Sequence, residues 1–433
     1  MVSQPEFSVV LNRRQLLAGL GLAGLGGMLP AQLLARPASK YPLVQSFVDG
    51  FVARDELPGV LVSIGREFAA PDVMGAGSIA FASRTPVNKD SLWRIYSMTK
   101  PITGIATMML IDEGKFTLDT PLGDILPKFA RMTVQLQPDG PLAARPAKTA
   151  ITIRHLLTHT SGLGYSIMQK GPLREAYIRA GLVPGHLSRL PNPFERNFPK
   201  AANLEIFADR LAALPLVYEP GTKFSYGVGL DLLGRVIEVV SGQRFDRFLK
   251  TRMFDPLGMN STGFWVAPKD IPRFTANYGV MNGITIPIDP GTSSVYARDP
   301  GLYAGGAGLV SSAHDYDRFL AMLLGEGQLG RERLLSAKTA RLAMSNLLPA
   351  GADIKGSWIE GYGFGAGGRV SLPTSKEGEG LYGWNGAAGT IGWVDRKRRM
   401  RVTGMVQQMP LDAFPFQSKL PDIIMQQFAD KKA

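Results

Sequence analysis

The chain has 433 residues, of which 45% are hydrophobic and 19% charged, an ordinary globular composition with ample apolar material for a large core. It has no cysteine, which excludes disulfides, thiolate metal sites and a cysteine nucleophile. Its four histidines form no close metal-ligand motif, so we expect neither a metal nor another cofactor. The net charge of +12 is scattered, apart from a basic run at residues 396–399 between two apolar segments. We interpret that run as a charged turn and expect no nucleic-acid partner.

Residues 1–38 have the pattern of an export signal. Arg13 and Arg14 precede an uncharged stretch rich in Leu, Gly and Ala, which resembles a twin-arginine signal. The stretch has about 15 residues, whereas a membrane span needs about 20. An uncleaved anchor and a cytoplasmic tail are the alternatives. Because the twin-arginine pattern is the main interpretation, we expect a periplasmic or secreted protein. No later segment is apolar for long enough to span a bilayer.

Hydrophobic periodicity and turn residues predict the elements of the body. In chain order they are a helix at 41–54, strands at 59–64 and 75–82, a turn at 88–91, a helix from about 97 to 114, helices at 153–157, 204–213 and 230–241, a proline-rich irregular stretch at 164–200, a helix at 315–324, and strands at 362–370, 380–384, 389–394 and 401–407.

Strands near both ends of the chain, with helices between them, predict an α/β architecture. Residues 39–120 and 295–433 are expected to form one sheet domain. Residues 121–294 are expected to form a mainly helical domain inserted into it.

Ser97 and Lys100 form a Ser-x-x-Lys tetrad at the start of a predicted helix. Positions i and i+3 share a helix face, so the amine can approach the hydroxyl. A serine hydroxyl needs a neighbouring base to become a nucleophile. Lysine can act as that base when neutral, or can hold another group deprotonated. Taken alone, so short a tetrad is more often a helix-capping serine followed by a surface lysine.

Other segments of the chain strengthen the case that this tetrad is functional. Residues 156–163 read Leu-Leu-Thr-His-Thr-Ser-Gly-Leu, residues 219–226 end in Tyr226, and glycine-rich segments follow at 305–311 and 383–389. Over roughly residues 41–410 the chain resembles the serine β-lactamase/penicillin-binding-protein superfamily. Within it, the chain is similar to class C β-lactamases and more so to family VIII carboxylesterases. The resemblance implies the β-lactamase/transpeptidase-like fold, an antiparallel sheet flanked by helices.

The resemblance also implies roles for individual residues. Ser97 would be the acylated nucleophile, Lys100 its proton partner, and Tyr226 the general base, with its phenolate stabilised by Lys100. The backbone N–H groups of Ser97 and Ala387 would form the oxyanion hole. A core aromatic with a bonded hydroxyl is the alternative for Tyr226.

Two departures from the lactamase pattern bear on the substrate. The lactamase Tyr-x-Asn motif is replaced by Tyr226-Gly227-Val228, with valine in the asparagine position. The lactamase Lys-Thr-Gly motif is replaced by Trp384-Asn385-Gly386. We expect these last three residues to bind the substrate, with small residues allowing its close approach. Without the lysine, a buried substrate carboxylate would lack a partner. An uncharged ester with an apolar half is therefore expected, although Trp384 packed in the core is an alternative.

Three further patterns are weighed against this interpretation. His159 is an alternative base for a Ser–His–Asp triad, but the resemblance makes it structural. No Gly-x-Ser-x-Gly elbow is present, which disfavours an α/β-hydrolase. Residues 305–308 lack a Walker lysine, so we expect them to serve packing.

The main hypothesis is thus an ester hydrolase acting on a small molecule. A β-lactam or D-amino-acid amide hydrolase or peptidase on the same fold is the first alternative. A non-catalytic binding protein is the second.

Overall fold

The computed structural model describes residues 39–183 and 200–429. The described residues from Lys40 onward form one compact unit. The predicted export signal at 1–38 lies outside the described residues, as do positions 184–199 of the predicted irregular stretch. Across the described part of the chain, no helix combines the length and apolarity needed to cross a membrane.

Strands and helices are numbered separately along the chain. The strands are β1 Gly59–Arg66, β2 Asp72–Gly77, β3 Leu92–Arg94, β4 Thr133–Gln135, β5 Ala144–Pro146, β6 Asn277–Met281, β7 Ile284–Asp289, β8 Val310–Ser312, β9 Gln328–Leu329, β10 Glu332–Arg333, β11 Gly363–Phe364, β12 Arg369–Val370, β13 Leu381–Asn385, β14 Ile391–Asp395, β15 Met400–Met405 and β16 Gln408–Met409. The helices are α1 Pro42–Ala53, α2 Thr99–Asp112, α3 Leu122–Ile125, α4 Ile153–Leu157, α5 Gly171–Arg179, α6 Leu204–Ala212, α7 Gly229–Ser241, α8 Phe245–Leu249, α9 Asp255–Leu257, α10 Ala313–Leu324, α11 Ala337–Ala343 and α12 Phe416–Ala429.

Seven strands form one antiparallel sheet in the order β11–β12–β13–β14–β15–β1–β2. The two ends of the chain meet where β1 pairs with β15, with Leu61 opposite Met405. Both faces of the sheet are covered, so β1 is apolar along most of its length. Val60 and Val62 pack with α1 and α12 on one face, whereas Leu61 joins the core on the other. The predicted sheet built from both ends of the chain is confirmed.

The helix α2 lies at the centre of the molecule. Twelve of its 14 residues are buried, which is typical of a helix surrounded by protein. It packs against α7 on one side and α11 on another, while α10 packs against β14 and β15. The start of α2 is therefore placed between the sheet and the helices of residues 121–294. Whether those helices form a separate domain stays a prediction.

Several predicted elements differ from the observed ones. Residues 362–370 form two short strands, β11 and β12, because the glycines between them allow a tight turn in which Gly365 N–H donates to the Gly368 carbonyl at 2.8 Å. The strand predicted at 75–82 is β2, which ends at Gly77, where φ is +75° and the chain leaves the sheet. The stretch at 164–200 contains the helix α5. The helix α12 was not predicted.

Candidate active site

Ser97 lies in a single 3₁₀ turn, Tyr96–Met98, between β3 and α2. β3 pairs with β8, and the Ile95 N–H donates to the Leu309 carbonyl at 3.1 Å, which anchors the entry to the turn. Tyr96 has a φ of +42°, a left-handed conformation that costs a non-glycine residue about 1–3 kcal/mol. Such strain persists only where the surrounding structure enforces it, and it concentrates at functional sites.

Lys100 is fully buried, and its ammonium group points at Ser97. Nζ donates to Ser97 Oγ at 3.2 Å and to the Gly306 carbonyl at 2.6 Å. It also lies 4.5 Å from the centre of the Tyr226 ring. The predicted approach of the i+3 amine to the hydroxyl is therefore observed. The Gly306 acceptor was not predicted, because residues 305–308 were assigned to packing alone.

Tyr226 reaches the same oxygen from a different part of the chain. Its hydroxyl donates to Ser97 Oγ at 2.8 Å, and the residue is only 6% exposed. The loop that carries it is held by the segment around His159. Ser225 N–H donates to the His159 carbonyl at 2.8 Å, and Gly227 N–H donates to His159 Nδ1 at 3.2 Å.

His159 supports Tyr226 rather than contacting Ser97. Its ring lies 4.5 Å from the Tyr226 ring, measured between centroids. Burial, helped by the charge of Lys100, holds the pKa of His159 well below its ordinary value of 6.5, so the imidazole is neutral. Its Nδ1 is already an acceptor for a backbone N–H. This geometry fits the structural role that the resemblance implies.

Trp384 stands on β13 beside Tyr226. The two rings stack at 5.9 Å between centroids, and Trp384 Nε1–H points at Tyr226 Oη at 3.4 Å, the long end of a hydrogen bond. Trp384 therefore contacts the proposed base as well as lining the cleft. Val228, by contrast, is fully buried in the core.

The end of β13 packs directly against the turn of Ser97. A Cβ at Gly386 would lie 2.4 Å from the Ile95 carbonyl oxygen and 2.1 Å from Thr390 Oγ1. The small residue is thus required by the protein's own backbone, not only by a substrate as expected from the sequence. The next residue, Ala387, lines the same cavity as Ser97, and within residues 39–183 and 200–429 its N–H has no acceptor. It is free to meet an oxyanion.

A buried carboxylate, Asp231 on α7, completes the surroundings of Lys100. It is 1% exposed, and one oxygen accepts a hydrogen bond from the Gly306 N–H at 2.8 Å. The other oxygen has no partner among the described residues. Burial raises the pKa of Asp231 to about 6, opposed by the charge of Lys100 and by the Gly306 N–H. Gly306 therefore links Lys100, which donates to its carbonyl, with Asp231, which accepts from its N–H.

A cavity of about 350 Å³ opens beside Ser97 and follows β13 towards α12. Tyr226, Trp358 and Trp384 line it together with Ser97. Trp358 and Ile167 lie at its rim and are each 59% exposed. The apolar residues that line the rest include Leu381, Ile391, Trp393, Met400, Ile424 and Met425.

Sequence reasoning missed several residues of this site. Trp358 and Gln417 lie in segments without a motif. Asp231 sits five positions after Tyr226 on the same side of α7 as the site, and its acidic side chain in an otherwise apolar helix start was the available signal. Among the described residues, no group of three or more His, Cys, Asp or Glu side chains is arranged to hold a metal ion.

Comparisons with known proteins agree with this fold. A model of the Beta-lactamase family matches residues 44–419. Esterase EstB of Burkholderia gladioli is 31% identical over 330 residues, which cover 72% of this chain and 76% of EstB. Lovastatin esterase of Penicillium rubens is 27% identical over 372 residues, covering 78% of this chain and 85% of that enzyme.

A solved structure is also similar to this chain in its fold. EstCE1, described as a hydrolase with promiscuous acyltransferase activity, aligns with a TM-score of 0.70 at 26% identity, over 89% of this chain and 97% of its own. The extent of the family match and the shared architecture give the same conclusion: the chain belongs to the Beta-lactamase family.

Proposed function

We propose that this protein is a serine hydrolase that cleaves carboxylic esters through an acyl-enzyme on Ser97. One observation carries this function: Lys100 Nζ and Tyr226 Oη both meet Ser97 Oγ, at 3.2 and 2.8 Å. Relatives named as esterases, EstB and lovastatin esterase, favour esters as the substrate class.

In the structure the Tyr226 hydroxyl donates to Ser97 Oγ. Acylation begins once that hydroxyl proton has been lost to solvent, which leaves a Tyr226 phenolate beside the amine of Lys100. Ser97 gives its proton to Tyr226 Oη as Ser97 Oγ attacks the ester carbonyl. The N–H groups of Ser97 and Ala387 receive the negative charge that develops on the carbonyl oxygen. When the C–O bond to the alcohol breaks, the alcohol takes the proton from Tyr226 and leaves.

Deacylation runs through the same groups. A water molecule gives a proton to Tyr226 Oη and attacks the acyl carbonyl, and Ser97 Oγ then takes that proton as the acid leaves. Lys100 Nζ donates to Ser97 Oγ and lies 4.5 Å from the centre of the Tyr226 ring, so it is placed to stabilise whichever of the two oxygens is negative. Its position is fixed by the Gly306 carbonyl.

The surroundings of the cleft favour an ester that is uncharged next to the scissile bond. Trp384 stands where the lactamase pattern has a lysine, and it presents an aromatic ring to the cavity. Apolar and aromatic side chains dominate the remaining lining, which suits an apolar acyl or alcohol half.

Hydrolysis of 4-nitrophenyl butyrate tests the proposal. Ser97→Ala, Lys100→Met and Tyr226→Phe are each expected to lower kcat/KM by roughly 10³-fold or more, because these groups act as a unit. Tyr165→Phe is the matched control, since Tyr165 stacks on Tyr226 at 5.8 Å but does not contact Ser97. Turnover retained in Ser97→Ala would refute the proposal.

Two further assays separate the alternatives. Nitrocefin and a peptide ending in D-Ala-D-Ala report β-lactam and peptide cleavage; turnover far above the ester rate would favour the amide hydrolase. A fluorophosphonate probe should label the wild type but not Ser97→Ala. Failure to label the wild type would favour a binding protein.

We also propose export by the twin-arginine route. What supports it is the pair Arg13 and Arg14 before an apolar stretch. Fractionation of cells that express the full chain should find activity in the periplasm or medium, and replacing both arginines by lysine should retain the protein in the cytoplasm. Unchanged export of that variant would contradict this route.

A further inference from the structure

Arg369 is the only lysine or arginine among the described residues that line the cavity beside Ser97. It lies on β12 and pairs with Gly383 of β13, the residue immediately before Trp384. Paired residues of antiparallel strands lie about 5 Å apart between Cα atoms. The backbone of Arg369 is therefore one strand away from the wall of the cleft.

The guanidinium group of Arg369 is held in place but has no polar partner among the described residues. Its central carbon lies 4.2 Å from the centre of the Tyr362 ring, and Tyr362 is itself fixed by donating from its hydroxyl to Glu377 at 2.9 Å. Across residues 39–183 and 200–429, Arg369 makes no hydrogen bond or ion pair. All five N–H donors of the guanidinium are thus available.

A guanidinium in this setting favours a carboxylate ligand. Attraction between opposite charges is stronger beside apolar walls than in open water, because the local dielectric constant is lower. The planar fork of arginine matches the two oxygens of a carboxylate. Two acidic side chains also line the cavity, but neither forms an ion pair with Arg369: Glu377 accepts from Tyr362, and Asp395 pairs with Arg398.

We propose that Arg369 binds a carboxylate carried by the substrate, so that the preferred substrates are esters whose acyl or alcohol half ends in a carboxylate group. This role of Arg369 rests on the ester hydrolysis proposed for Ser97. The carboxylate lies along β12, away from Trp384, so the region next to the scissile bond remains apolar.

Matched pairs of esters test this preference. For the acyl half, mono-4-nitrophenyl esters of dicarboxylic acids of six, eight and ten carbons are compared with 4-nitrophenyl esters of the monocarboxylic acids of equal length. For the alcohol half, 6-acetoxyhexanoate is compared with hexyl acetate by titration of released acid. Arg369→Gln should lower kcat/KM for the carboxylate-bearing member of at least one pair by roughly tenfold or more, and leave the neutral member unchanged.

The control is Arg331→Gln, which removes one positive charge from the exposed turn between β9 and β10, outside the cavity. For every pair, it should leave unchanged the ratio of kcat/KM between the carboxylate-bearing ester and the neutral ester. Equal effects of Arg369→Gln on both members of every pair, no effect in any pair, or the same selective loss in Arg331→Gln would overturn the proposal. Turnover of the neutral esters by the wild type, and its loss in Ser97→Ala, reports separately on the proposed function.

Discussion

Gln417 of α12 holds the carbonyl of Gly386 at the end of β13, with its Nε2–H donating at 3.0 Å. The same nitrogen donates to the Thr390 carbonyl at 2.9 Å, and Gln417 Oε1 accepts from Asn385 Nδ2 at 3.1 Å. One side chain thus closes the turn between β13 and β14. Ala387, whose N–H is proposed to bind the oxyanion, lies within that turn.

Gln417→Leu should lower kcat by roughly ten- to a hundredfold while KM changes little, because an oxyanion donor acts mainly in the transition state. Gln417→Glu should be similarly impaired, since a carboxylate cannot donate to the two carbonyls. Gln426→Leu, at an exposed position of the same helix, is the control. An increase in KM with unchanged kcat would contradict this role of Gln417.

Gly386→Ala should reduce activity by about a hundredfold or more and also lower stability. The new methyl group would clash with the Ile95 carbonyl, two residues before Ser97, so relief of the clash must displace the nucleophile. Gly75→Ala is a suitable control, because a Cβ there meets no atom closer than 3.7 Å. Ester assays and thermal unfolding of both variants measure the effects; a fully active Gly386→Ala enzyme would disprove the close approach.

Asp231→Asn should change how stability depends on pH. Burial raises the pKa of Asp231 from 3.8 to about 6, so the folded protein keeps this proton at pH values where the unfolded chain releases it. The resulting stabilisation is fully present below about pH 4 and is lost as the pH rises through about 6, in total on the order of 3 kcal/mol.

The asparagine variant keeps the acceptor for the Gly306 N–H but cannot titrate. The unfolding free energy of the wild type should therefore fall relative to that of Asp231→Asn between about pH 4 and pH 7. Denaturant titrations across this range measure the difference. Parallel pH profiles for the two proteins would be incompatible with a buried carboxyl of raised pKa.

Trp384→Phe should lower kcat/KM by less than about tenfold. Phenylalanine keeps an aromatic ring against Tyr226 and loses only the Nε1–H, whose contact with Tyr226 Oη is long at 3.4 Å. Trp384→Ala, which also removes the ring, should cost considerably more. A loss of a hundredfold or more in the phenylalanine variant would mean that the N–H itself stabilises the phenolate.

Much of this architecture can be predicted from the sequence. The apolar run of β1, the apolar run of α2 and the spacing of Ser97 and Lys100 are local patterns, and each element appears close to where its pattern predicts. The meeting of Tyr226 with Ser97 depended instead on resemblance, because no local pattern links two residues that far apart in the chain.

Other features depended on tertiary contacts that leave no periodic signal. The helix α12 contains Pro421, which ordinarily argues against a helix interior, yet α12 packs on α1 through Phe416, Leu420 and Ile424. Arg369 lines the cavity only because β11 and β12 fold as a hairpin rather than one strand. Trp384 in place of the lactamase lysine indicated a cleft without a positively charged side chain. Arg369 nevertheless supplies one from the neighbouring strand β12.

The pairing of β1 with β15 has a consequence for how the chain is made. Arg66 pairs with Met400, and the backbone of Leu43 in α1 donates to Gln427 in α12 at 2.8 Å, so the first and last elements form one cooperative unit. Until the ribosome has released β15, β1 and β14 each lack a neighbour and present open edges to other chains. Closing so large a loop is slow, and the protein must survive this interval in a partly folded state. Aggregation during synthesis, rather than stability after it, is therefore expected to limit the yield of active enzyme.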